Sequence, residues 1–159
     1  MTPEPKRPAP INARAETLLE RPLFRTAVAR RRCLVIGDGY YEWREAPGQR
    51  RKQPYHIRLK DGGLFAMAGL YTDGGEERPA TCAIITTEPN EVMAPIHNRM
   101  PAILDPALEA IWTDPRVVDP AVILPCLRPY PANEMVAFPV ATLVSSPRND
   151  DPTLIQPLS

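Results

Sequence analysis

Short apolar runs separated by turn-forming residues make up most of this chain. The runs are rich in β-branched and aromatic residues, and each is bounded by glycine, proline or aspartate, which is typical of strands. We predict strands at residues 33–36, 40–44, 55–59, 64–71, 82–85 and 135–143. The sequence Asp61-Gly62-Gly63 predicts a hairpin that joins the strand at 55–59 to the strand at 64–71.

The helices are predicted to be short, because 21 prolines interrupt the polar stretches. Pro22 divides the first helical segment into one helix near residues 16–20 and a second across residues 23–30. The second helix would turn Leu23, Phe24 and Val28 towards the core. Aspartate followed by proline, a favoured beginning for a helix, predicts two further helices at residues 107–112 and 121–127.

A histidine in a constrained loop is the first candidate for chemistry. The hydroxyls of Thr86 and Thr87 and the pair Glu88-Pro89 predict a cap and the first turn of a short helix, which Pro95 ends before His97. A histidine between two prolines has little backbone freedom, which suits a positioned acid–base group. A hydrogen bond to a neighbouring loop explains the same pattern, so spacing alone leaves both interpretations open.

The strand at residues 40–44 holds a carboxylate among aromatic rings. Alternation places Tyr41 and Trp43 on one face of the strand, and Tyr40, Glu42 and Arg44 on the other. In such surroundings Glu42 could give or take a proton near neutral pH. A surface glutamate on an edge strand fits the same alternation.

Composition and charge narrow the class of protein. A chain of 159 residues is long enough for one domain with one moderate core. No apolar run approaches the roughly 20 residues that span a membrane, and the start, MTPEPKRPAP, has no apolar signal-peptide core. We therefore expect a cytoplasmic protein.

The charge is unevenly distributed along the chain. Residues 1–60 carry 14 basic and 6 acidic side chains, and residues 61–159 carry 5 and 13. This asymmetry indicates a nucleic acid partner for the first part, or a mutual neutralisation of the two parts in the fold. Arg25 and Arg30–Arg32 form a basic edge that fits either a solvated helix end or a phosphate contact.

The cysteines do not have the spacing of a metal site. Cys33, Cys82 and Cys126 are far apart, and only His56 and His97 could join them as ligands. We therefore predict no metal and no cofactor. Cys33 and Cys82 open apolar runs, so buried, reduced thiols are expected.

Four motifs occur in a fixed order along the chain. They are NARAET at residues 12–17, RRRCLV with GYYEW at 30–43, TTEPN to IHNRMPAIL at 86–104, and SSPRNDD at 145–151. In this order they resemble the SRAP family, the SOS response-associated peptidases, also called abasic-site processing proteins. The resemblance covers nearly all of residues 11–157, after a Pro-rich leader at residues 1–10 that we expect to be disordered.

The resemblance implies both a fold and an activity. The fold is a single α+β domain built on a strongly bent, barrel-like, mainly antiparallel sheet with short peripheral helices. Members bind abasic sites in single-stranded DNA and become covalently crosslinked to them, a step in DNA repair. For this chain the resemblance implies a monomer that associates with the nucleoid when DNA is damaged. The family's peptidase and hydrolase activity is chiefly the removal of its own first methionine. That cleavage exposes a cysteine whose α-amine, with a pKa of about 8, attacks the sugar aldehyde. The thiol then closes a thiazolidine ring.

The resemblance also implies roles for residues of this chain. Asn12 would hold the amine in line, Glu42 would shuttle protons as the sugar opens, and His97 would act as acid–base at the imine and in reversal of the crosslink. Arg14 and Arg99 would contact DNA phosphates, with Thr86 and Thr87 as lesser candidates.

The beginning of the chain departs from the family pattern. Members open with Met-Cys-Gly-Arg, whereas this chain opens Met-Thr-Pro and soon reaches Asn12. We therefore expect the N-terminal part with the reactive cysteine to be absent, and this chain to be inactive in crosslinking. Two alternatives stay open: a non-catalytic single-stranded DNA-binding module, and a thiol hydrolase that uses Cys33 with His97 and Glu42.

Overall fold

The computed structural model describes residues 10–45, 47–48, 51–75 and 79–158, which form two β-sheets and a few short helices. The predicted leader, residues 1–10, lies outside the described residues except for Pro10. The strands are β1 (Asn12–Arg14), β2 (Arg32–Gly37), β3 (Tyr40–Arg44), β4 (Gln53–Leu59), β5 (Phe65–Thr72), β6 (Thr81–Thr87), β7 (Met100–Pro101) and β8 (Met135–Pro139).

The α-helices are short, and the second and third begin at the predicted aspartate–proline pairs. They are α1 (Pro22–Arg30), α2 (Pro106–Thr113) and α3 (Pro120–Ile123), and α3 continues as a 3-10 turn over Leu124–Cys126. The carboxylates of Asp105 and Asp119 accept hydrogen bonds from backbone N–H groups at 3.0 and 2.9 Å, and a proline follows each as the first helical residue. Instead of a helix near residues 16–20, one 3-10 turn spans Ala15–Thr17. In the part of the chain that the structure describes, no helix is long and apolar enough to cross a membrane.

The larger sheet has the strand order β1-β6-β5-β2, with β7 also paired to β6, and the smaller sheet has the order β3-β4-β8. All pairings are antiparallel except that of β1 with β6, which is parallel. The expected mixed fold, mainly antiparallel with short helices, is confirmed. The strands that the structure describes pair as two separate open sheets rather than as one closed ring.

The predicted hairpin between β4 and β5 is wrong, because these two strands belong to different sheets. The turn itself is present: the N–H of Gly62 donates to the carbonyl of Leu59, and Gly62 has a φ of 75°. The chain reverses there but passes from the smaller sheet to the larger one. β5 is buried from Phe65 to Leu70 and lies between β2 and β6, so both of its edges are already occupied.

Two apolar clusters form the core. The first surrounds Trp112 between the larger sheet and the helices, and the second lies between the two sheets around Ile57, Met67 and Met93. From α1 the first cluster receives Phe24, Ala27 and Val28. The expected inward position of Leu23 is wrong, since that residue is 58% exposed.

Arg32 is buried and is not part of a basic edge. Its guanidinium donates to five backbone carbonyls, those of Val28, Ala29, Trp112, Asp114 and Val117. Every N–H of the side chain is thereby used, which ties the end of α1 to the end of α2 and the loop beyond it. Burial lowers the pKa of Arg32 below its ordinary value. The neighbouring Arg31 is exposed and pairs with Asp73 at 3.0 Å.

Candidate active site

A carboxylate of the smaller sheet meets an imidazole carried by the loop after β6. Oε1 of Glu42 lies 3.9 Å from Nε2 of His97, and the two side chains keep 26% and 40% of their surface exposed. Glu42 stands on β3 opposite Tyr55 of β4, so a paired strand fixes its backbone. At this distance the carboxylate and the imidazole do not share a hydrogen bond, but a reacting group could contact both, and both side chains are open enough for a substrate to reach them.

A side-chain amide, and not a helix cap at Thr86–Thr87, shapes the loop that carries His97. Thr86 and Thr87 belong to β6, and turns follow at residues 91–96 instead of the predicted helix. Oδ1 of Asn90 accepts hydrogen bonds from the backbone N–H groups of residues 92 and 93, and its Nδ2 donates to the carbonyl of Tyr130 at 2.7 Å. The N–H of His97 donates to the carbonyl of Met93 at 2.9 Å. The loop is therefore anchored at both ends.

The backbone of Arg99 sets the orientation of the imidazole. Its N–H donates to Nδ1 of His97 at 3.1 Å. When Nδ1 accepts this bond, the neutral ring carries its proton on Nε2, the nitrogen that lies near Glu42. The carbonyl of Arg99 lies 3.2 Å from the same Nδ1 and offers an acceptor when the ring holds both protons. The loop can therefore support both protonation states of an acid–base catalyst.

The guanidinium of Arg99, expected to contact phosphate, is held by groups of the protein itself. It forms a two-pronged pair with Glu16, at 2.8 and 2.9 Å, and also donates to the backbone carbonyl of Thr86. The side chain keeps 20% of its surface exposed. The hydrogen bonds from Arg99 lower the pKa of Glu16 below its ordinary value.

Asn12 and Arg14 lie on β1, which pairs in parallel with β6 so that Asn12 is opposite Ile84 and Arg14 is opposite Thr86. Ala13 between them is buried, and alternation therefore places both side chains on the outer face, where they are exposed. Arg14 is also close enough to Glu16 to help lower the pKa of that carboxylate. Within the described residues no hydrogen bond or ion pair joins Asn12 to Glu42 or His97, so the structure brings the carboxylate and imidazole together without the amide.

Thr87 does not lie on the face expected to contact DNA. The residue is 4% exposed, and its hydroxyl donates to the carbonyl of Leu127 at 3.5 Å. The alternation of β6 turns Thr87 into the core with Ala83 and Ile85, whereas Thr86 faces outward with Arg99. A phosphate cannot reach Thr87, so of the two threonines only Thr86 remains a candidate.

The thiols are separate from the carboxylate and imidazole. Cys33 is half-buried and Cys126 is buried, and burial raises the pKa of both thiols, which disfavours the reactive thiolate. Cys82 is exposed, so its expected burial is wrong. No hydrogen bond from a cysteine reaches His97 or Glu42 in the described ranges, and no three His, Cys, Asp or Glu side chains there could share a metal ion.

Sequence reasoning missed two residues of this region. Asn90 had a local signal, because asparagine followed by a turn often accepts bonds from the next backbone N–H groups. Glu16 had none, because its partner Arg99 is remote in sequence and only the pairing of β1 with β6 brings the two motifs together.

Comparison with known proteins agrees with the motifs. The family model described as "SOS response associated peptidase (SRAP)" matches residues 2–147. The abasic site processing protein YoqW of Bacillus subtilis is 46% identical over 149 residues, which cover 92% of this chain and 66% of that protein. The abasic site processing protein HMCES of Gallus gallus is 34% identical and is covered to 50%.

A solved structure supports the same relationship. A protein from Bacteroides thetaiotaomicron superimposes with a TM-score of 0.81 at 37% identity, with 93% of this chain and 66% of that one covered. The chain thus spans about two thirds of the length of YoqW and of this structural relative. Family model, relatives and fold agree that the chain belongs to the SRAP family of SOS response associated peptidases.

Proposed function

We propose that this chain supplies the DNA-binding face and the proton-transfer pair of an abasic-site processing protein that acts on single-stranded DNA. The close approach of Glu42 and His97 carries the proposal, because it joins a carboxylate and an imidazole on an accessible surface. The relatives YoqW and HMCES are named for abasic site processing.

The proposed chemistry begins with opening of the abasic sugar. The sugar is a cyclic hemiacetal, and its aldehyde appears only when a proton leaves the C1′ hydroxyl and another reaches the ring oxygen. Glu42, as the carboxylate, would accept the first proton, and His97, in its imidazolium form, would donate the second from Nε2 and become neutral. The products are a free aldehyde and a hydroxyl at C4′, with both protons accounted for.

Capture of the aldehyde would require an N-terminal cysteine. The α-amine of an N-terminal cysteine would form an imine with loss of water, and the thiol would add to the imine as a thiazolidine. Proton transfers in these steps would again use His97, with Asn12 aligning the amine.

Binding to the DNA backbone would come mainly from Arg14. Its side chain is exposed beside Thr86 on the outer face of β1. Arg99 would add to the local positive potential, although a phosphate that took its two-pronged bonds would have to displace Glu16. Such contacts position a strand without reading its sequence, as an abasic site requires.

The test compares two labelled single-stranded oligonucleotides that differ only in one abasic site. Fluorescence anisotropy at several salt concentrations measures binding, and a denaturing gel reports covalent adducts. We expect salt-sensitive binding of both strands, with tighter binding of the abasic one. Absence of binding at low salt would contradict the proposal.

A second candidate function is a non-catalytic single-stranded DNA-binding module. It is favoured by one observation, that in the described residues no thiol is bonded to the carboxylate or the imidazole. It predicts the same salt-sensitive binding without an adduct that survives denaturation, and a stable adduct formed by this chain would exclude it.

A further inference from the structure

The pair Glu16–Arg99 connects the beginning of the domain to the loop of the candidate active site. Glu16 lies in the 3-10 turn directly after β1, and both of its carboxylate oxygens accept hydrogen bonds from the guanidinium of Arg99. This fork-to-fork geometry is the most directional ion pair that proteins use. It closes a long loop of chain with two charge-assisted bonds.

Arg99 is also bonded at its other end to the candidate catalytic imidazole. Its backbone N–H donates to Nδ1 of His97, while its side chain reaches back to Glu16 and to the carbonyl of Thr86. The residue is thus fixed at its backbone and at the tip of its side chain. A change at the tip is transmitted to the hydrogen bond that holds the ring.

We propose that Glu16 is a positioning residue for His97, which it holds through Arg99 in the orientation that presents Nε2–H to Glu42. The relay runs Glu16–Arg99–His97–Glu42, with separations of 2.8, 3.1 and 3.9 Å between successive partners. Its consequence for catalysis rests on the proposed function. The ring orientation itself is a property of the free protein.

Glu16 matters because, through Arg99, it restrains the segment that follows His97. Without the carboxylate, the guanidinium keeps only its bonds to Thr86, and residues 97–99 can shift relative to β6. Once the N–H of Arg99 no longer donates to Nδ1, the tautomer of the neutral ring is no longer fixed by that hydrogen bond. Only part of the protein molecules would then carry the proton of the neutral His97 ring on Nε2, near Glu42.

Glu20 provides a matched control. It is exposed in the turn that follows Glu16, and it makes no side-chain hydrogen bond or ion pair within the described residues. Glu16→Gln and Glu20→Gln therefore remove the same charge from the same segment, and only the first breaks the fork. Any general effect of charge on DNA affinity is common to both variants.

The experiment records the imidazole ¹⁵N signals of the free protein at a pH where the rings are neutral. The chain has two histidines, and His97→Gln assigns one set of signals, so His56 becomes an internal check of the fold. We expect the wild type and Glu20→Gln to show the Nε2–H tautomer at His97. Glu16→Gln should show a mixture of tautomers with His56 unchanged. An unaltered His97 pattern in Glu16→Gln would overturn the proposal.

A second variant keeps the test decisive if Glu16→Gln perturbs the fold, which the His56 signals would reveal. Arg99→Lys retains the backbone N–H and the positive charge but removes the two-pronged geometry, and it should give the same mixture at His97. A wild-type pattern there would also overturn the proposal.

Reaction with abasic DNA separates this inference from the proposed function. Measured with the protein saturated by DNA, so that differences in affinity do not contribute, Glu16→Gln should slow sugar processing about tenfold relative to Glu20→Gln. If neither the wild type nor any variant reacts while the tautomer still changes, the proposed function fails and the positioning role stands.

Discussion

The imidazole of His97 and the carboxylate of Glu42 approach to 3.9 Å across the boundary between the two sheets. Glu42 belongs to the smaller sheet, whereas His97 follows the central β6 strand of the larger one. The apolar cluster between the sheets, which includes Ile57, Met67 and Met93, sets their spacing. The geometry of the candidate site therefore depends on packing as well as on the two residues themselves.

The first prediction concerns the carboxylate and imidazole as a unit. Glu42→Gln and His97→Asn should each lower the rate of abasic-site processing by about 100-fold, the usual scale of one acid–base group. DNA affinity should change little. The double variant should be no more than slightly slower than the slower single variant, because both residues serve one proton transfer.

Rates of sugar opening in the abasic oligonucleotide, measured by chemical trapping of the aldehyde, check this prediction. Glu91→Gln, an exposed glutamate in the same loop as His97, is the control. Independent, multiplying effects of the two substitutions would show that the residues do not cooperate.

The second prediction concerns Arg14 and phosphate. Arg14→Ala should weaken binding to single-stranded DNA of any sequence and lower the salt slope by about 0.7, the value for one lost phosphate contact. Arg25→Ala removes another exposed charge, this one from α1, where Arg25 lies beside Val28 and Ile123. Binding isotherms across a salt series should separate the two variants, and equal slopes would remove Arg14 from the DNA-binding face.

The third prediction concerns the buried guanidinium of Arg32. Arg32→Met leaves the carbonyl groups at the ends of α1 and α2 without donors and should lower the free energy of unfolding by at least about 3 kcal/mol. Arg31→Met removes only an exposed pair with Asp73 and should cost under about 1 kcal/mol. Urea unfolding of both variants measures the difference, and similar losses would show that the buried bonds add little.

The fourth prediction concerns His56 and acid. His56 is 6% exposed, and its Nδ1 has no hydrogen-bond partner among the described residues. Burial therefore lowers the pKa of His56, because a protonated ring would bury a charge and an unpaired N–H. The unfolded chain takes up this proton below about pH 6.5 and the folded chain resists it. Stability should thus be fully present above that pH and fall as the pH drops towards the folded-state pKa.

Unfolding titrations between pH 5 and pH 8 test this sign. In His56→Leu the stability should vary less with pH, by up to about 1.4 kcal/mol per pH unit for one proton. The ring of Phe138 packs against that of His56, with centroids 5.5 Å apart. Phe138→Leu weakens this contact without removing the titrating group and should retain the pH dependence. Identical profiles for wild type and His56→Leu would assign the acid sensitivity to other groups.

Several elements were predictable because their signals are local. Alternation and β-branched runs located β2 to β6, and the aspartate–proline pairs located the beginnings of α2 and α3. The hairpin prediction failed because a glycine turn reverses the chain without choosing the partner of the next strand. In the fold, β5 pairs with β2 on one edge and with β6 on the other, which leaves no edge for β4.

For the candidate site too, some features were predictable from the sequence and others were not. The motifs named Asn12, Glu42 and His97 as the catalytic residues, and the structure brings the side chains of Glu42 and His97 to within 3.9 Å of each other. Their roles stay predictions. The pairing of Glu16 with Arg99 and the burial of Arg32 could not be predicted, because the sequence does not distinguish an exposed arginine from one whose guanidinium is bonded within the protein.

The amino-acid sequence was sufficient to identify the family, the short elements and the residue types available for chemistry, because these depend on neighbours along the chain and on motifs in order. Which charges are exposed and which are bonded within the protein became known only from the three-dimensional fold. That choice depends on which remote backbone and side-chain groups the packed sheets place within hydrogen-bonding distance. Arg14, Arg32 and Arg99 carry the same side chain, and the fold assigns each a different environment.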